Sequence, residues 1–412
     1  MSLRKILFWM HLAAGVVAGV SVFLMSVTGV ALTYERQLAD LARRDYRSEA
    51  ASRGVRPLGS EALLAAVQRQ LPDLEPSSIT YQADAAAPAL LAQGRRERLY
   101  GDRYTGEVLG DGSGATSAFF RTMTDWHRWL GREGEGRAWG RALTGACNLA
   151  FLFLLLSGAF LWWPRNRSSR ALRNAMWFRS GLRGKARDFN WHNAVGFLTA
   201  IPLLVIVASG VVISYRWAGD LVYTLTGSDP PSRGPGAPPS RAPDARGPVR
   251  SSAVDLTAEV PAATAVDLDA LVATATAESP AWRSVTLNLP ESPGELVRIS
   301  IDRSPGGQPA ERFDLVVDPA NREIRERSGY ADQSAGQKLR VWLRFAHTGE
   351  VYGLAGQTIA GVASLGAPVL VWTGLALSWR RFFGAGRNAV TQGMVAPREA
   401  WTMSWEDNPG GG

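Results

Sequence analysis

Four long stretches without a charged residue divide this chain. Residues 6–34, 142–164, 189–215 and 351–379 contain no Asp, Glu, Lys or Arg. About 20 apolar residues in a helix cover the roughly 30 Å of bilayer hydrocarbon, and soluble helices rarely stay uncharged for so long. Each stretch therefore predicts a membrane-spanning helix. The first is too long for a signal-peptide core and runs into Thr28–Arg36 without a small-residue cleavage site, so it reads as an uncleaved anchor. Between the spans the pattern changes. EALLAAVQRQL from Glu61 has helical periodicity, and RLYGDRYTGEVLG up to Gly110 reads as strand, turn, strand. Leu268 to Ala275 predicts a second helix, and VTLNL, LVRISID and FDLVVDPANREI predict strands between Val285 and Ile324. Two small α+β domains follow, at residues 35–126 and 216–340. Seven prolines between Ser228 and Pro248 mark an extended linker inside the second.

The two halves of the chain repeat each other. Span one reads His11, Gly15, Thr28-Gly29 and Tyr34, and span three reads His192, Gly196, Ser209-Gly210 and Tyr215 at the same spacings. Span two carries Ser157-Gly158 and Trp163, and span four Thr373-Gly374 and Trp379, each Gly five residues before its Trp. The expected fold is thus an integral membrane protein whose four transmembrane helices form two parallel two-helix repeats, with an α+β domain after the first helix of each.

Charge sets the expected topology. The chain has 45 Lys and Arg against 37 Asp and Glu, a net +8. Most of that excess sits in residues 165–188, with eight basic side chains against one acidic, whereas residues 35–137 hold fifteen of each sign. The positive-inside rule then puts the N-terminus, this loop and the tail from residue 380 to 412 in the cytoplasm, and both α+β domains outside. Because topology accounts for the arginines, no nucleic-acid partner is expected; the partner surface is the lipid bilayer.

The single cysteine, Cys147, excludes disulfides, Cys-type zinc sites and cysteine-held iron–sulfur clusters within the chain. No glycine-rich phosphate or dinucleotide loop follows a strand, and no Ser stands in a nucleophile-elbow context. Histidine is the informative residue. There are four. His11 and His192 fall at one depth near the cytoplasmic ends of spans one and three. His127, in a segment at residues 127–141, and His347, in a segment at residues 341–350, precede spans two and four on the outer side. Two imidazoles, one from each repeat, suit the two faces of a six-coordinate haem, and Gly15 and Gly196 one turn away would leave room for a flat macrocycle. The competing reading is an interfacial histidine beside a helix-packing glycine. Without a Cys-x-x-Cys-His motif any haem would be bound non-covalently.

The segments HLAAGVVAGVSVFLMSVTGVAL from His11, DRYTGEVLG from Asp102, SGAFLWWPR from Ser157, WHNAVGF from Trp191 and AHTGEVYGLAGQ from Ala346 resemble those of the PepSY-associated transmembrane helix proteins of bacteria. The resemblance implies that both exported domains are PepSY-like and periplasmic, the first a clear match through DRYTGEVLG and the second a weak one, since VVDPANREI lacks the TGE turn. Within that group the layout is similar to inner-membrane ferric-siderophore reductases, apart from the proline-rich insert at residues 228–248. That likeness implies an oxidoreductase with two haem b, His11 and His192 as axial ligands of the inner one and His127 and His347 of the outer one. It implies a ferric siderophore as electron acceptor and a cytoplasmic or membrane electron donor. A haem conduit to another periplasmic acceptor, and a haem-free PepSY anchor that binds or inhibits a peptidase, are the alternatives.

Overall fold

The computed structural model describes residues 2–94, 97–112, 114–163, 173, 176–231, 266–292 and 294–383. Most of the arginine-rich loop, the proline-rich insert beyond Pro231 and the tail beyond Phe383 lie outside the described residues. In chain order the helices are α1 (Leu3–Leu32), α2 (Glu35–Ala42), α3 (Ser60–Gln70), α4 (Ala115–Trp129), α5 (Gly136–Trp162), α6 (Gly184–Ser214), α7 (Arg216–Leu225), α8 (Leu268–Ala277), α9 (Ala335–Thr348) and α10 (Gly353–Phe383). The strands are β1 (Ser78–Gln82), β2 (Ala89–Gln93), β3 (Glu97–Gly101), β4 (Val108–Gly110), β5 (Ser284–Asn288), β6 (Val297–Asp302), β7 (Arg312–Val317) and β8 (Ile324–Gly329).

Among the described residues four helices, α1, α5, α6 and α10, are long and apolar enough to cross a membrane. Their polarity is inverted relative to a soluble bundle. Val17, Ile201 and Trp372 on the outside are 84, 78 and 68% exposed, while many of the buried positions are small or polar, among them Ala18, Thr28, Gly145, Asn148, Ser157, Thr199, Ser209, Gly361 and Thr373, beside larger ones such as Val22, Leu203 and Val207. Hydrocarbon gives no reason to bury Leu against Leu, so close approach of small residues and interhelical hydrogen bonds hold such a bundle together. Two glycines sit at the tightest approaches. A Cβ on Gly140 of α5 would collide with the Trp129 carbonyl at the end of α4, and one on Gly356 of α10 with the Gly349 carbonyl just after α9.

The spans form a ring in which α1 packs on α5 and α10, and α6 packs on the same two helices, so α1 and α6 stand opposite each other. Outside the ring, α4 lies against α1 and α5, and α9 against α6 and α7. The helices run past the charge-free stretches. Arg137 and Arg141 are in the first turns of α5, and Lys185, Arg187 and Asp188 in those of α6, because lack of charge delimits the part that suits hydrocarbon and not the helix itself.

Beyond one end of the bundle the strands of both intervening segments join in a single antiparallel sheet of eight, ordered β4-β3-β2-β1-β5-β6-β7-β8. The joint is β1 with β5, paired from Ser78↔Asn288 to Gln82↔Ser284. It hides the edge strand that each half would otherwise expose. Helices α3 and α8 cover one face: Leu63 and Val67 pack with Ile79, Tyr81 and Leu91, and Leu268, Leu271 and Ala275 with Val285, Ile299 and Leu315. Each helix caps the other. Asp269 Oδ1 accepts from the Ser60 backbone N–H at 2.8 Å, and Glu61 Oε1 from the Leu268 N–H at 2.7 Å, which satisfies donors that a helix start leaves bare.

The glycine approaches are open to test. Gly140→Ala and Gly356→Ala should each destabilise the detergent-solubilised protein by about 1–3 kcal/mol, because a backbone carbonyl has to move. Gly15→Ala, whose new methyl would meet Leu154 at an ordinary 3.8 Å, should leave the thermal melting point nearly unchanged. Equal melting shifts for all three would show that the carbonyl contacts do not limit packing.

Candidate functional site

The four histidines assemble into two pairs. His11 on α1 and His192 on α6 face each other across the ring of spans, their ring centres 6.4 Å apart and planes crossed at 84°. At the end nearer the sheet, His127 of α4 and His347 of α9 have ring centres 6.3 Å apart and planes at 65°. Both of these lie in the last turn of their helices. Leu130 (φ 52°) and Gly349 (φ 77°), in left-handed conformation, stop α4 and α9 directly afterwards and turn the chain toward α5 and α10. His127 touches α1 at Met25 and Thr28, so the two pairs are separated along the bundle by about 21–26 Å at 1.5 Å per residue.

The hydrogen bonds of all four imidazoles fall on Nδ1. His11 Nδ1 is 2.9 Å from Ser157 Oγ, His192 Nδ1 2.9 Å from Thr373 Oγ1, His127 Nδ1 3.2 Å from Thr28 Oγ1, and His347 Nδ1 3.2 Å from Ser209 Oγ. Each of these hydroxyls already donates its single hydrogen to a carbonyl of its own helix: Thr28 to Leu24, Ser157 to Phe153 and Thr373 to Val369 at 2.7 Å, Ser209 to Ile206 at 2.8 Å. Only a lone pair remains for the imidazole, so Nδ1 carries the proton. For the pair near the sheet the same follows from the Met25 and Ile206 carbonyls, each 2.8 Å from Nδ1 and unable to donate. Nε2 of every histidine is thereby the bare nitrogen, the one able to hold a metal.

Charge agrees with this. Burial, together with the neighbouring His347 and Arg128, pushes His127 down to about 4, and burial also lowers His347, both shifts favouring the neutral imidazole. At the opposite end Asp188, one turn before His192 and 2% exposed, pairs with Arg187 at 2.9 Å and Arg380 at 3.0 Å, which ties the start of α6 to the end of α10. Arg4 likewise ties α1 to the end of α5 by donating to the Leu161 and Trp163 carbonyls.

The glycines divide differently from the sequence-based expectation. Gly15 and Gly196 do not open a space: added methyls there would touch Leu154 at 3.8 Å and Leu370 at 3.6 Å, ordinary packing between neighbouring spans. The glycines beside the imidazoles are Gly29, Gly158, Gly210 and Gly374, whose Cβ would lie 3.2–3.5 Å from Cε1 of His127, His11, His347 and His192. The Ser and Thr that precede them were visible only as repeat markers; their common spacing was the signal of a shared task.

A haem fits these residues. An imidazole nitrogen sits about 2 Å from a metal it ligates and about 1.2 Å from its own ring centre, so two imidazoles on opposite sides of one metal have ring centres about 6.3 Å apart. Both pairs have that separation. Among the described residues no group of three or more His, Cys, Asp or Glu is placed to hold a metal ion, so a bare ion finds no closed shell here. A macrocycle that supplies four ligands itself needs only two from the protein.

No curated protein matches the chain. The family described as PepSY-associated TM region matches residues 8–381, a range that takes in all four spans, the joined sheet and the four histidines, and the chain belongs to that family.

Proposed function

We propose that this protein binds two b-type haems without covalent attachment and passes electrons from one end of its helix bundle to the other. The observation that carries this reading is the pair of imidazole couples, 6.4 and 6.3 Å between ring centres, each with Nε2 as its free nitrogen. His11 and His192 would hold one haem and His127 and His347 the other. Bound haem would supply one-electron exchange between ferric and ferrous iron. The protein's own part is to keep the proton on Nδ1, to hold the rings in place and to exclude water. Met25, Phe151, Leu155, Ile206 and Val371 pack against the buried apolar residues of the spans and support that part.

Recurring contacts support two parallel two-helix repeats. Tyr34 of the first half lies beside Gly361 of α10, and Tyr215 beside Gly145 of α5, at matched positions. The reciprocal caps between α3 and α8 repeat the same two-fold relation in the sheet. With the basic loop in the cytoplasm of a bacterial inner membrane, the His11–His192 pair is the inner one and the sheet is periplasmic. A negative-inside potential then drives electrons outward by about 2.3 kcal/mol per 100 mV.

The acceptor that suits this layout, by the resemblance described above, is a ferric siderophore. One electron delivered to the periplasmic side converts Fe(III) to Fe(II), which hard oxygen chelators hold more weakly. A donor on the cytoplasmic side supplies that electron.

Purified protein from haem-replete cells should contain about two haem b per chain by pyridine haemochrome assay, both low-spin when reduced. His11→Ala and His192→Ala should each remove the same haem, and His127→Ala and His347→Ala the other. A chain without haem would leave the peptidase-binding anchor as the better reading, and loss of one shared haem in His11→Ala and His127→Ala would refute the pairing.

Ferric siderophore added to the dithionite-reduced protein should reoxidise the haems, with ferrozine trapping one Fe(II) per electron lost. Haems that stay reduced with several ferric siderophores yet respond to another periplasmic acceptor would reassign the acceptor and keep the conduit.

A further inference from the structure

Four hydroxyl–glycine dipeptides recur, one on each spanning helix, and each holds a histidine that belongs to a different helix. Ser157-Gly158 of α5 holds His11 of α1, and Thr373-Gly374 of α10 holds His192 of α6. Thr28-Gly29 of α1 holds His127 of α4, and Ser209-Gly210 of α6 holds His347 of α9. In every case the hydroxyl meets Nδ1 and the glycine lies under Cε1, the adjacent ring atom. Contact at two neighbouring atoms fixes the tautomer and also the rotation of the ring about the axis through Nε2. Ordinary helix packing calls for small residues, but not for a hydroxyl at one ring nitrogen on all four helices.

The four cradles are of two grades. At His11 and His192 the hydroxyl is the close acceptor, 2.9 Å from Nδ1, with the Leu370 carbonyl a further and weaker partner of His192. At His127 and His347 the hydroxyl is at 3.2 Å and a backbone carbonyl at 2.8 Å. Nδ1 has one hydrogen to give. It goes mainly to the side chain in the first pair and to the backbone in the second.

Resting on the haem reading above, we infer that the hydroxyls of Ser157 and Thr373 are positioning groups that set the potential of the His11–His192 haem, whereas at the His127–His347 haem the Met25 and Ile206 carbonyls take that part and the Thr28 and Ser209 hydroxyls are secondary. A hydrogen bond donated from Nδ1–H raises electron density at Nε2, which favours ferric over ferrous iron. Loss of the acceptor therefore raises the potential. The ring rotation has its own signature, since crossed axial imidazoles give low-spin ferric iron a larger maximum g value than parallel ones.

The test is a potentiometric titration of the full-length protein followed by optical spectra, with electron paramagnetic resonance of the oxidised form. The couple that disappears in His11→Ala identifies the inner haem. Ser157→Ala should shift its ferric/ferrous equilibrium about tenfold toward ferrous, a rise of about 59 mV for a one-electron couple, and alter its g values; Thr373→Val should shift it in the same direction by less, because the Leu370 carbonyl stays beside His192. Ser157→Thr should restore both. Thr28→Val and Ser209→Ala should move the other couple less than about threefold, because the carbonyl acceptors remain. Loss of the inner haem in Ser157→Ala with retention in Ser157→Thr would equally assign the task to the hydroxyl. Unchanged inner potentials in Ser157→Ala and Thr373→Val, or loss of haem in both Ser157 variants, would overturn the inference while leaving haem binding intact. Equal shifts at both ends would overturn the two grades. Absence of haem from the unaltered protein is read separately and would remove the haem reading itself.

Discussion

A neutral imidazole buried among apolar helices has one nitrogen that must donate and one that must accept, and leaving either unmatched is costly. Here the donating side is settled four times by a hydroxyl or a carbonyl at Nδ1. The accepting side is not settled by the partner imidazole, because neither Nε2 of a pair has a proton to give. An electron-poor centre between the two rings would match both lone pairs, and this is the ground for the haem proposal. From that single constraint come the neutral charge state, the choice of Nε2 as ligand and the proposal of haem.

The rest of the architecture keeps the two couples where they are. Histidines from opposite helices of the ring can meet only if the neighbouring spans stay close, and small or polar buried residues make that approach possible. The second couple hangs on α4 and α9. Glycines 140 and 356 let the ends of these helices close onto the following spans, and at the start of α9 Ser334 and Gln337 form a reciprocal cap. The sheet bridges the halves of the chain through β1 and β5, so α4 and α9 are tethered to one body and not to two.

The spans and the pairing of the histidines were legible in the sequence because hydrocarbon demands a narrow set of residue types and the repeat sets the histidines at matched depths. A stretch free of charge is visible in one dimension, and four histidines at matched spacings stand out in 412 residues. The joint between β1 and β5 was not legible. Thr80 and Thr286, whose hydroxyls meet at 2.9 Å, are separated by two hundred residues and the proline-rich insert, and nothing local pairs them. The role of Ser157 and its counterparts was hidden for a related reason: the dipeptide is conspicuous, but its histidine is on another helix, and only the arrangement of spans says which one. Gly15 and Gly196 misled because spacing places a residue on a helix face without revealing what that face meets.

The central claim is that each histidine pair shares one iron through Nε2. A cryo-electron microscopy map of the purified full-length protein tests it most directly. The account predicts two planar densities, one between His11 and His192 and one between His127 and His347, each joined to Nε2 on both faces while Nδ1 stays on its hydroxyl or carbonyl. Imidazoles in contact with no density between them, or ligation through Nδ1, would contradict it.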